Sequence, residues 1–184
     1  MSKLFLLFVP VCFLISCGSG GNKEKEKKDF YPISGYIRSQ LVNLDSMLPG
    51  ILHYRTANGI TDSLVIEKAA FRNTVAAAFI GSDISSPEKM KDYEETPFLD
   101  AGTGTMTLVY TAVSDKVPVR KIDVLLSFDS EVQTIYIERD LPVAGSAVIQ
   151  KMLWTHNKSC QVISIIRKEG MEEQIVLDKY VWSN

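Results

Sequence analysis

Histidine and cysteine are scarce in this chain, and their scarcity removes whole classes of chemistry. The two histidines, His53 and His156, stand far apart, with none of the short Cys and His spacings of a zinc site around them. Charge of one sign is also missing: 20 Lys and Arg face 22 Asp and Glu, a net of −2, so nothing draws nucleic acid electrostatically. The glycine cluster AGTGT at Ala101–Thr105 lacks the lysine and following helix of a phosphate cradle and runs instead into a strand pattern. The carboxylate pairs Glu94–Glu95 and Glu172–Glu173 are sequence neighbours whose side chains point apart, which reads as solvated surface. No motif implies a metal or another cofactor.

What is present begins at the amino terminus. Lys3 is followed by LFLLFVPVCFLIS, an uncharged apolar run interrupted by Pro10 and shorter than the ~20 residues a membrane-crossing helix needs. A short basic head on such a run is the layout of a secretory signal, here residues 1–16. Leu14, Ile15, Ser16 and Cys17, followed by GSGG, resemble the lipobox of bacterial lipoproteins. That resemblance implies cleavage before Cys17 and acylation of Cys17. A thiol readily forms a thioether to a diacylglyceryl group, and a fatty acid such as palmitate on the new amino terminus adds another chain. One chain binds a membrane marginally, at ~0.8 kcal/mol per buried methylene, whereas several anchor it stably. Cys12 leaves with the signal, so Cys17 and Cys160 remain and no internal disulfide is expected.

Residues 17–29 then read as a flexible tether: GSGG followed by NKEKEKKD, mixed in charge and with nothing to bury. Loss of residues 1–16 removes Lys3, which leaves 19 basic against 22 acidic residues and a balance of −3. An aspartate after the acylated cysteine resembles an inner-membrane retention signal, and Gly18 holds that position here. The implied address is the outer membrane, facing the periplasm. Surface display stays open as an alternative, because some Bacteroidota lipoproteins carry an acidic cluster close to the cysteine.

The remaining residues, 30–184, are expected to form one α+β domain. Ser34 can cap a helix from about Gly35 to Met47, with Ile37, Leu41, Leu44 and Leu48 on one face. Asn58–Gly59 between two extended runs predicts a tight β-hairpin. EKAAFRNTVAAAFIGS, with Phe71, Val75 and Phe79 at helical spacing and Gly81 as a stop, predicts a second helix. The stretch from Asp83 to Thr105, broken by Pro87 and Pro97, reads as a long polar excursion. From Met106 onward six short β-rich runs predict an antiparallel meander, with imperfect alternation that calls for helices over part of one face. The fold expected is an antiparallel, curved β-sheet meander packed against two helices.

As a whole the chain resembles uncharacterised envelope lipoproteins of the Bacteroidota, through the LISCGSGG start, the charged tether and the order helix, hairpin, helix, strands. That likeness carries no functional residues with it. Against an enzyme stands the lack of a polar catalytic cluster: His156, Cys160 and Asp178 can be brought near one another only by chance strand adjacency. The reading is a non-enzymatic binding or scaffold module, held to the membrane by a covalent lipid anchor, for an apolar ligand or an envelope partner. Tyr93, Phe98, Tyr136 and Trp154 are the candidate binding residues, and a lipid, a glycan or an envelope protein is the candidate partner. The alternative is a hydrolase using a cleft of the sheet.

Overall fold

The computed structural model describes residues 29–46 and 50–182. The signal, Cys17 and the tether up to residue 28 lie outside the described residues. Helix α1 spans Ile33–Ser46 and buries Ile37, Leu41 and Leu44 of the expected face together with Ile33, while Met47 and Leu48 lie outside the described residues. Strands β1 (Gly50–Ala57) and β2 (Ile60–Glu67) form the expected hairpin. Asn58 and Gly59 close it with φ of 52° and 76°, positive at both positions as a type I′ turn demands.

The second helix is three pieces in succession: α2 (Lys68–Phe71), a π-helical turn (Arg72–Ala76) and α3 (Ala77–Gly81). A one-turn helix, α4 (Pro87–Met90), follows. Seven strands then run as a meander: β3 (Tyr93–Asp100), β4 (Thr105–Ala112), β5 (Val119–Leu126), β6 (Val132–Val143), β7 (Ser146–Thr155), β8 (Ser159–Lys168) and β9 (Gln174–Val181). The nine strands of the described residues join one antiparallel sheet in the order β2-β1-β9-β8-β7-β6-β5-β4-β3. The last strand thus pairs with the first, and the amino-terminal hairpin extends the meander. The molecule is sheet-dominated, with a few short helices. Among the described residues no helix is long and apolar enough to cross a membrane.

Two sequence expectations are corrected here. The polar excursion holds β3, which pairs with β4 along its whole length, from Tyr93 opposite Ala112 to Asp100 opposite Thr105. Pro97 is tolerated because β3 is an edge strand, with one side that needs no N–H donor. Ser34 does not cap α1 from outside but lies within the helix, and the oxygen at its backbone N–H comes from Asp83, at 2.8 Å.

The core follows from the register. Tyr110, Ile122, Ile137, Met152 and Val162 stand opposite one another across β4 to β8, and Val124, Ile135, Trp154, Cys160 and Tyr180 make a second row from β5 to β9. Apart from Val162 and Tyr180 at its margin, these rows are almost wholly buried, in one cluster with Phe30, Phe71, Phe79 and the apolar face of α1. The helices therefore cover a single face of the sheet, and α1 packs on α3.

Candidate functional site

Past the two apolar rows, the helix-covered face turns polar at the same end of four neighbouring strands. Arg139 continues the Ile135, Ile137 phase of β6, Gln150 leads into Met152 and Trp154 on β7, and Ser164 follows Cys160 and Val162 on β8. Asp178 precedes Tyr180 on β9 in the same phase. The register sets Arg139 opposite Gln150 and Gln150 opposite Ser164. Their side chains link accordingly: Arg139 donates Nε (3.0 Å) and Nη2 (2.7 Å) to Gln150 Oε1, and Gln150 Nε2 donates to Ser164 Oγ at 3.2 Å.

Helix α3 completes the cage. Arg139 Nη1 donates to the Ala78 carbonyl at 3.2 Å and to Ser82 Oγ at 3.3 Å. All these acceptors are neutral, so among the described residues this half-buried guanidinium has no carboxylate partner. Burial pulls its pKa below the ordinary arginine value. A groove of about 260 Å³ opens beside it, with Thr74, Val75 and Ala78 on its helical wall and Gln150, Ser164 and Asp178 on its sheet wall. Thr74 and Val75 belong to the π-helical turn, the type of irregularity that recurs at functional sites because it redirects side chains within a helix.

The far end of the groove is acidic but compensated. Asp178 Oδ1 lies 2.8 Å from His53 Nε2 and 3.5 Å from Arg55 Nη1. His53 stacks flat on Tyr180, ring centroids 4.4 Å apart and 5° from parallel. Burial, and then the charge of Asp178, push the Tyr180 hydroxyl up to about 12. Among the described residues the groove thus offers a cation with neutral partners at one end, a compensated anion at the other, and neutral donors and acceptors between.

The structure does not bring the four aromatic candidates together. Trp154 is core, packed among Phe71, Phe79 and Trp182 with 1% of its surface exposed. Tyr93 is also buried, its hydroxyl donating to the Val119 carbonyl at 3.0 Å. It borders a separate cavity of about 100 Å³ with Ile84 and Val117. Tyr136 lies on the opposite face, its hydroxyl donating to Glu138 Oε2 at 3.0 Å, and Phe98 is exposed on edge strand β3. The fifth site residue, Cys17, is outside the described residues.

Of the histidine, cysteine and aspartate considered above, the histidine and the aspartate are partnered elsewhere and the cysteine is a buried free thiol. His156 Nδ1 meets the Tyr36 hydroxyl at 2.8 Å and its Nε2 meets Asn157 Nδ2 at 2.8 Å, while Asp178 pairs with His53. Burial raises the Cys160 thiol well above its usual pKa. Among the described residues no group of three or more His, Cys, Asp or Glu side chains could hold a metal ion.

Sequence reasoning missed Arg139, Gln150 and Ser164, although a signal was there. Each is a polar residue in the buried phase of its strand, and the three fall at corresponding register positions once the meander is aligned. Comparison of the chain with protein-family models, curated proteins and solved structures finds no match.

Proposed function

We propose that the chain is a membrane-anchored envelope lipoprotein whose folded domain is a non-enzymatic binding module, and that its groove receives the acidic head of an otherwise apolar ligand. The observation that carries this reading is Arg139, a half-buried cation held by neutral acceptors only. A carboxylate or phosphate entering the groove supplies the missing countercharge, and charge-assisted hydrogen bonds are the stronger kind. At about 260 Å³ the groove is smaller than the ~300 to 1,000 Å³ of pockets that enclose a whole ligand, so it suits a head group whose tail lies outside. A sheet that curves around its helices would give that tail an apolar border to follow.

Native mass spectrometry of the detergent-extracted full chain tests both halves. An acidic amphiphile should copurify with the parent chain, be lost from Arg139→Gln, and be partly kept by Arg139→Lys, which retains the charge without the planar fork. A ligand retained by Arg139→Gln, or none at all, overturns the groove reading. The anchor is tested separately, because Cys17→Ser presents a hydroxyl where the lipid transfer needs a thiol. Metabolic labelling with a fatty acid should disappear in that variant, and unchanged labelling would remove the membrane assignment.

The hydrolase alternative draws on the His53–Asp178 pair, a histidine and carboxylate 2.8 Å apart with Asp178 at the groove wall. Ester turnover that vanishes specifically in His53→Ala would favour it over simple binding.

A further inference from the structure

The two edges of the sheet are built differently. Edge strand β3 carries Pro97, which has no N–H to give, and the acidic residues Glu94, Glu95 and Asp100, features that discourage strand addition. Edge strand β2, ITDSLVIE, has no proline and is exposed along nearly its whole length. Ile60, Leu64 and Val65 show 68%, 52% and 71% of their surface. An apolar edge of this kind is one that soluble proteins seldom leave open.

The hairpin dictates which backbone groups of that edge face away from β1. Ala57 and Ile60 close a two-residue turn and so form a hydrogen-bonded pair. Alternation along the ladder then assigns the same type to Arg55–Asp62, His53–Leu64 and Ile51–Ile66. The N–H and C=O groups of Thr61, Ser63, Val65 and Glu67 therefore point away from β1.

We propose that β2 is a self-association edge, at which two copies of this chain pair antiparallel about a two-fold axis normal to the sheet. Such an axis keeps the helix-covered faces on one side and requires Thr61, Ser63, Val65 and Glu67 to pair among themselves. Centred on Leu64, Thr61 opposes Glu67 and Ser63 opposes Val65, each twice; Ser63 and Val65 exchange both backbone bonds, whereas Glu67, whose C=O is committed to the first turn of α2, gives its N–H to Thr61. Leu64 then meets Leu64, Asp62 meets Ile66, and no carboxylate faces another. Centring on Ser63 would pair Glu67 with Gly59, which is committed to the turn at φ 76°. Centring on Asp62 would set that carboxylate against itself. An unrelated extended peptide could use the same backbone groups, but the match of exposed apolar residues and separation of charges under two-fold symmetry singles out a second copy.

Disulfide trapping in the full chain tests this directly. At the two-fold axis the Leu64 Cα atoms approach to about 4.5 Å, inside the ~4.4 to 6.8 Å span of a disulfide. Leu64→Cys should therefore give an oxidised dimer severalfold more abundant than Val65→Cys, whose own copy lies on the longer diagonal. Both variants keep the native cysteines as a common background. Adding Ser63→Pro removes an outward N–H without touching the β1 ladder and should abolish the trapped dimer. The parent chain in detergent should sediment as a concentration-dependent dimer that Ser63→Pro dissociates. A folded Leu64→Cys variant that traps no more than Val65→Cys overturns the proposal, as does a cross-link to a different protein. If Leu64→Cys fails to fold, a parent chain that stays monomeric across the micromolar range overturns it instead.

Discussion

Asp83 lies 49 residues from Ser34 in sequence, yet its Oδ2 accepts the Ser34 N–H at 2.8 Å, at the start of α1. That helix has no acidic residue in its own first turn, so Asp83 supplies from outside the negative charge that orphan N–H groups and the helix dipole favour. Oδ1 meanwhile accepts from the Ser85 N–H at 2.8 Å and fixes the carboxylate. Burial by itself would raise the pKa of Asp83, but the hydrogen bonds from Ser34 and Ser85 outweigh it and the net shift is downward. A carboxyl held below its unfolded value adds stability above ~pH 4 and loses it as pH falls through the folded pKa. Asp83→Ala should cost ~0.5 to 2 kcal/mol at pH 7, the range for a lost cap. The gap from the parent in urea midpoint should narrow as the pH drops below ~4. A gap that stays constant from pH 7 to 3 would show that the charge of Asp83 contributes nothing.

At the scale of elements, legibility tracked how local the cause was. Asn58–Gly59 announced its hairpin because both positive φ values are properties of those two residues. The six strands from β4 to β9 were legible because short β-rich runs and turn residues alternate at regular intervals. Strand β3 was not legible: TPFLD with its proline and acidic neighbours has the composition of a loop, and it becomes a strand only because β4 offers a partner along its full length. The π-helical turn at Arg72–Ala76 was read as ordinary helix, since no residue in RNTVA enforces the wider turn. Most of the site was lost for a related reason. Large aromatics draw the eye, but Trp154 and Tyr93 were needed to fill the core. The groove is made instead by modest polar residues, Gln150, Ser164 and Thr74, around Arg139, and their meaning appears only when strand phases are compared side by side.

For the whole molecule, the question is where folding cooperativity begins along the chain. Phe30 is 2% exposed, its ring packed 4.6 Å from that of Tyr110, and the Tyr31 N–H donates to the Tyr110 hydroxyl at 3.0 Å. The first residues of the body are thus pinned to β4, across the sheet from the hairpin that pairs with β9. Everything before Phe30 reads as signal and charged tract, with nothing to bury after residue 16. A chain beginning at Asp29 should therefore melt at the same temperature as one beginning at Gly18. A chain beginning at Tyr31 keeps the whole meander and all of α1 but loses the Phe30 ring, and the hole left against Tyr110 should cost ~3 to 5 kcal/mol, the range for removing a buried aromatic. Thermal and urea melts of the three chains decide the matter. Equal stability for the Tyr31 chain would mean that the Phe30 contact is dispensable. A loss already present in the Asp29 chain would mean that the charged tract packs against the body, and the tether reading would fail with it.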